Sequence, residues 1–318
     1  MKRWLIGAAL ALASCLTFAQ YPDRPVRIIV PLPPGGSPDT IARTLAQHLQ
    51  ASWGQPIVVE NRTGGSQNIG ADAVAKSPPD GYNWLLAPDN VFVTNPYLAK
   101  AAGFDPLTDL APVTLVARIQ FLLVVHPSVP ATSVPELVAY ARAHPGELNY
   151  GSSGTGSPQH LGNLLLQQLT GIKMNHVPYK GAAPAVADLL AGRIQVWIGA
   201  ANSLLPHIRA GKLQLLATTA SQRFSAMPDT PTVAEAGVAG YSLYPWLGLF
   251  VPAHTPADVV AAINAQARRI LAQEDVKSRL VPQGMDLTTD SPAELAKLIR
   301  DEYAYWGKVI HDAGLKGE

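Results

Sequence analysis

The chain has 318 residues, length enough for two ordinary domains, and its 47% apolar content belongs to a folded protein rather than a disordered one. Only 15% of the residues are charged and the formal net charge is +1, so nucleic acid or another polyanion would find no basic footprint. Cys15 is the single cysteine, so no intrachain disulfide can form and core area alone must hold the fold.

Lys2 and Arg3, the apolar run from Trp4 to Ala13 and the small-residue pattern Thr17-Phe18-Ala19 have the anatomy of a secretory signal over 1–19, cleaved after Ala19. Leu12-Ala13-Ser14-Cys15 also fits a bacterial lipoprotein box, which would keep Cys15 as a lipidated N-terminus. Both readings export the protein. The apolar run is about half of the ~20 residues that span a bilayer, and no later stretch reaches that length.

Strands and helices then alternate. Val26 to Pro31 is a β-branched run, and Ile41, Leu45, Leu49 and Trp53 recur at helical spacing until Gly54 stops the helix. Pro56 to Glu60, the helix from Ala71 to Lys76 and the strand from Asn83 to Ala87 continue the rhythm, which predicts a parallel sheet with helices on both faces. A second series begins at Leu122 to Val125. Ser133-Val134-Pro135-Glu136 reads as a capping box, followed by strands at Leu148 to Gly151, Met174 to Val177, Gln195 to Ile198 and Leu213 to Thr218. The last third reads as helical, with Thr255 and Ser291 each placed as an N-cap before proline.

Several catalytic signatures fail. Gly151-Ser152-Ser153-Gly154-Thr155 lacks the final glycine of a serine-hydrolase elbow, and no phosphate-binding loop or dinucleotide fingerprint is complete. The eight histidines form no zinc spacing, and no cofactor or metal is expected. Two matching loops remain, each ending in a serine N-cap before proline: Gly35-Gly36-Ser37-Pro38 after one strand and Gly154-Thr155-Gly156-Ser157-Pro158 after another. Glycines permit close backbone approach, and the N–H groups of a helix start attract an anion, so a small carboxylate is the natural guest. Asp39 either complements its own helix dipole or supports the ligand from the cleft. Trp197 reads as core. Tyr179 and Trp246 could offer ring faces to an aromatic acid, Asp89 and Asn90 could face the cleft, and Lys180 could pair with a second carboxylate.

The order YPDRPVRIIVPLPPGGSPDTIAR, IVVENRTGGSQNIGADAVAKSPPDGY, NYGSSGTGSPQHL, HVPYKGAAPAVADLLAGR, MPDTPTVAEAG and WLGLFVPAHTP resembles the Bug/TctC-type substrate-binding proteins, the extracytoplasmic receptors of tripartite tricarboxylate transporters. The resemblance implies an α/β, type II periplasmic-binding-protein fold of two doubly wound domains. The chain would cross between them near Phe121 and Ser242, giving a discontinuous first domain (20–121 plus 243–318), a second domain (122–242) and a cleft between. It also implies a monomeric, non-enzymatic periplasmic receptor that closes on a di- or tricarboxylate or an aromatic acid and delivers it to membrane permease subunits.

By that resemblance the ligand loops fall on Pro34, Gly35, Gly36 and Asp39, and on Ser152, Ser153, Gly154, Thr155, Gly156 and Ser157, gripping a carboxylate partly through water. The sequence departs from the family at Gln195 and Gly199, where relatives carry aspartates, and at Ser66 and Gln67, where glycines are commoner. The loss of an acid at Gly199 argues against an ammonium-bearing ligand. The alternatives are a ligand-loaded partner of a sensor kinase and an exported serine hydrolase using Ser152 or Ser153 with His160 nearby.

Overall fold

A computed structural model describes residues 21–98 and 103–315, so the signal segment, its cleavage site and Cys15 lie outside the described residues. In chain order the elements are β1 (Val26–Val30), α1 (Ser37–Trp53), β2 (Ile57–Asn61), α2 (Asn68–Ala75), β3 (Asn83–Pro88) and the one-turn helices α3 (Asn90–Val93) and α4 (Asn95–Leu98). There follow β4 (Leu110–Ile119), β5 (Phe121–Val125), α5 (Val134–Ala143), β6 (Asn149–Ser152), α6 (Pro158–Thr170), β7 (Asn175–Pro178), α7 (Ala182–Leu190), β8 (Val196–Ala200), α8 (Ala201–Arg209) and β9 (Gln214–Thr218). The chain finishes with β10 (Trp246–Pro252), α9 (Ala257–Leu271), α10 (Glu274–Leu280), β11 (Met285–Leu287) and α11 (Pro292–Asp312).

These strands make two sheets, ordered β11-β4-β10-β3-β1-β2 and β7-β6-β8-β5-β9. Neither is purely parallel. In the first, β1 runs parallel to β2 and β3, whereas β10 runs antiparallel to both β3 and β4. In the second, β6 is parallel to β7 and β8, whereas β5 is antiparallel to β8 and β9. Of the antiparallel members, β5 and β10 are the strands on which the chain enters a sheet after each crossing, and β11 pairs antiparallel with β4. β4 closes the first sheet at Ile119 and β5 opens the second at Phe121, with Gln120 alone between them. The return runs alongside: Leu243 N–H donates to Thr219 O at 2.9 Å, Thr219 N–H to Phe121 O at 3.0 Å, and Ile119 N–H to Pro245 O at 2.7 Å.

Strand and helix faces follow the apolar pattern. Ile41, Leu45 and Leu49 of α1 are buried against β1, and Gly54 ends the helix in a left-handed conformation with φ 69°. The continuous run WLGLFVP of β10 is buried at every position, as a strand covered on both faces must be. This central strand, with β11, corrects the helical reading of the last third: a short apolar run has no period of its own to separate strand from helix.

Three caps also differ from expectation. Gly36 rather than Ser37 is the N-cap of α1, and Ser37 lies inside the helix. Thr255 turns its hydroxyl to Pro252 O, leaving Pro256 as the cap of α9. At α5, Ser133 accepts from Glu136 N–H, but the Glu136 carboxylate reaches one residue further back, to the N–H and hydroxyl of Thr132 at 2.6 and 2.8 Å. Among the described residues the reciprocal box is complete only at Ser291 and Glu294.

Candidate functional site

In each sheet three parallel strands end on the same edge, and their outgoing loops form two facing sets. In an open α/β sheet this carboxyl edge is where ligands sit. The first set follows β1 (Pro31–Gly36), β2 (Arg62–Gln67) and β3 (Asp89); the second follows β6 (Ser153–Ser157), β7 (Tyr179–Gly181) and the β8–α8 junction. Two hydrogen bonds join them. Ser37 hydroxyl donates to Asn202 Oδ1 at 3.1 Å, and Thr94 hydroxyl donates to Gly156 O at 3.1 Å.

Asp39 shapes the first loop. Buried at the start of α1, it accepts from Gly35 N–H at 3.0 Å, Arg43 Nε at 3.0 Å and Asn61 Nδ2 at 3.0 Å. Burial works against its charge, but the bonds from Arg43, Gly35 and Asn61 outweigh it and hold the carboxyl below the usual range. Its acceptor capacity is committed to protein donors, so it buckles the loop instead of confronting a guest. Pro34, Gly35 and Gly36 are exposed, and among the described residues the Gly36 and Ser37 N–H groups have no protein acceptor. Unpaired donors at a helix start are the basis of an anion site.

The second loop is braced from beneath. Ser152 is wholly buried; its Oγ lies 2.6 Å from His176 Nε2 and accepts from Gly154 N–H at 3.2 Å. Ser157 caps α6 by accepting from His160 N–H, and His160 Nδ1 in turn accepts from Gly156 N–H at 3.1 Å. The His160 and His176 rings stack with centroids 4.0 Å apart. Desolvation, with His176 beside it, pushes His160 down to about 3, and desolvation lowers His176 as well, so both rings are neutral at pH 7.

The two rings therefore add no positive charge beneath this loop, and what it offers an anion is its backbone dipoles. Gly154 and Gly156 are already committed as donors. The Ser153 and Thr155 N–H groups, with that of Gln159 in the first turn of α6, have no protein acceptor among the described residues. Ser153 hydroxyl donates to Gln159 Oε1 at 2.9 Å.

The same geometry disfavours a hydrolase. Ser152 pairs with His176, not His160, and no carboxylate orients that ring among the described residues. No three His, Cys, Asp or Glu side chains group as a metal site among the described residues.

The other expected positions differ in how far they are covered. Trp246 has no exposed surface; its indole N–H donates to Glu302 at 2.8 Å and its ring lies 6.3 Å from Phe92 in the core. Asp89 is buried beside it, accepting from Asn90 N–H at 2.7 Å and Trp246 N–H at 3.3 Å. Burial, then the nearby Glu302, pushes Asp89 up to about 8. Tyr179 stands half-buried after β7, its hydroxyl donating to Asp188 at 2.9 Å, and Lys180 is exposed. Gln195 is structural, bonding Asn149 and Gly192 at the far end of β8. Trp197 is buried as core, and its indole nitrogen fills the space a Cβ at Gly199 would need. Asn202, Thr94 and His176 carried no sequence signal, because folding alone brings them to the loops.

A family profile described as "Tripartite tricarboxylate transporter family receptor" matches residues 41–315. The chain belongs to this family. It is 36% identical over 310 residues to Protein BugT of Bordetella pertussis, covering 97% of this chain and 95% of that one. Among solved structures it is similar to Rpa4515 of R. palustris with adipate, at 37% identity and TM-score 0.89, covering 94% of this chain and 100% of that chain. It is also similar to MatC (Rpa3494) from Rhodopseudomonas palustris with bound malate, at 32% identity and TM-score 0.83, covering 91% and 100%. The fold is that of the periplasmic solute-binding proteins, with a cleft between two α/β halves, and these relatives are binding proteins, not enzymes.

Proposed function

We propose that this receptor captures a small organic carboxylate, foremost a dicarboxylate, between the β1–α1 and β6–α6 loops and presents it to a tripartite tricarboxylate-type permease. The observation that carries the reading is the pairing of unpartnered helix-start N–H groups on two facing loop sets that already touch through Ser37–Asn202 and Thr94–Gly156. The relatives holding adipate and malate support the ligand class. Sheet membership supports a division into a first domain of 20–121 plus 243–318 and a second of 122–242, hinged at the paired crossings. The start of the sequence supports export with cleavage after Ala19.

Closure follows if the acid contacts both loops at once, because only differential contacts shift a conformational population. A ligand that binds only the folded state stabilises it by RT ln(1 + [L]/Kd), about 2.7 kcal/mol at a hundredfold excess over Kd. A thermal-shift screen of mono-, di- and tricarboxylates against amino acids and neutral sugars should raise the melting temperature with acids alone. A sugar-specific shift with no response to any acid overturns the ligand class.

A further inference from the structure

Ser37 and Asn202 meet across the two halves, each in the first turn of its helix, α1 and α8. The Ser37 hydroxyl is covered, and it donates to Asn202 Oδ1 at 3.1 Å. Asn202 itself is half-buried at the β8–α8 junction, and Gly36, next to Ser37, is exposed with its N–H unpaired among the described residues. The bond therefore lies where the two loop sets face each other, beside a free helix-start donor.

A side-chain amide carries an acceptor oxygen and two N–H donors. Ser37 occupies the Asn202 oxygen, whereas Asn202 Nδ2 has no protein acceptor among the described residues. That nitrogen keeps solvent-accessible surface, so it is open to a guest and not sealed in the core. The Asn202 backbone N–H likewise has no protein acceptor among the described residues. Pinning the oxygen fixes the amide plane, so the free N–H bonds are oriented before any ligand arrives, which lowers the ordering cost of binding. A carboxylate at the start of α1 would then find donors on both halves. An acid that uses both holds the halves together, which is the differential contact that closure requires.

We propose that Asn202 is a ligand-binding residue as well as a tie between the halves: its Oδ1 holds Ser37 across the cleft while its Nδ2 donates to the bound carboxylate. This rests on the carboxylate-receptor reading above. Titration calorimetry of the whole protein with succinate, malate and adipate should compare wild type with Ser37→Ala, Asn202→Ala and the double variant. Ser37→Ala breaks the tie alone, and Asn202→Ala removes the tie and the ligand donor together. In the Ser37→Ala background, where no tie is left to lose, Asn202→Ala should still weaken binding at least about tenfold, as loss of a hydrogen bond to a charged group does. A smaller cost in that background leaves Asn202 as a tie only and overturns the proposal.

Asn202→Asp keeps an oxygen for the Ser37 hydroxyl and puts a carboxylate oxygen where the donor was, so it tests the contact even if the alanine variants fold poorly. Its binding should fall by more than tenfold and stay weakened relative to wild type in 1 M NaCl, since salt screens only charges farther apart than a few ångströms. Binding that matches wild type, at low salt or once salt is added, overturns the contact. A wild type that binds no acid at all removes the receptor reading itself, a distinct failure.

Discussion

At the residue scale, the carboxylates near the loops have opposite roles set by their partners. Asp39 gains three donors and stays charged; its contribution to stability is present above the unfolded carboxyl range and is lost as pH falls through its lowered value. Asp89 is buried among apolar side chains with Glu302 near, and its value rises to about 8. The folded state therefore holds a proton there that the unfolded chain releases near ~3.9, so stability falls as pH climbs from that range through about 8. Asp89→Asn keeps one oxygen for the Asn90 N–H group, gives up the longer Trp246 contact on the other oxygen, and removes the charge. Thermal melts should show the variant gaining stability relative to wild type as pH rises from 5 to 9; a difference between the two that does not change over that range would show that Asp89 holds no extra proton in the folded state. The sequence left Asp39 and Asp89 ambiguous between site and support, because burial and partners come from distant chain segments.

At the element scale, the β6–α6 loop is where geometry is tightest. Gly156 has φ 79°, and a Cβ there would lie 2.8 Å from Leu98 Cδ1 of the opposite half. Gly156→Val strains the loop and pushes against α4 together. Affinity for a carboxylate should fall at least tenfold by calorimetry, which is about 1.4 kcal/mol, while far-UV circular dichroism stays native because the glycine lies outside both β6 and α6. Unchanged affinity would take this loop out of the site. Glycine-rich turns after strands were legible from residue order alone. Their committed donors, Gly154 to Ser152 and Gly156 to His160, were not, since those bonds depend on how β6, β7 and α6 stack.

At the scale of the whole molecule, the two crossings run side by side. Gln120 Nε2 donates to Asp286 at 2.7 Å and to Tyr244 hydroxyl at 3.1 Å, and Tyr244 hydroxyl donates to the same Asp286 carboxylate. This knot ties both crossings to β11, and on the proposed domain division it lies where the two halves would turn. Small-angle scattering should record a smaller radius of gyration on adding a stabilising dicarboxylate; an unchanged radius with saturated binding would argue for a rigid, preformed cleft.

Most of the alternation, from β1 through β9, could be read from apolar spacing and from turn residues, because side-chain period and backbone geometry are local properties. The family followed from motif order, which needs no coordinates. Folding alone decided that β10 and β5 run against their neighbours, that Trp246 is core, that Asp39 serves the loop, and that Ser37 and Asn202 meet. Those outcomes depend on pairings between residues far apart in the chain, and no local pattern encodes which burial or hydrogen bond wins when several segments compete for the same space.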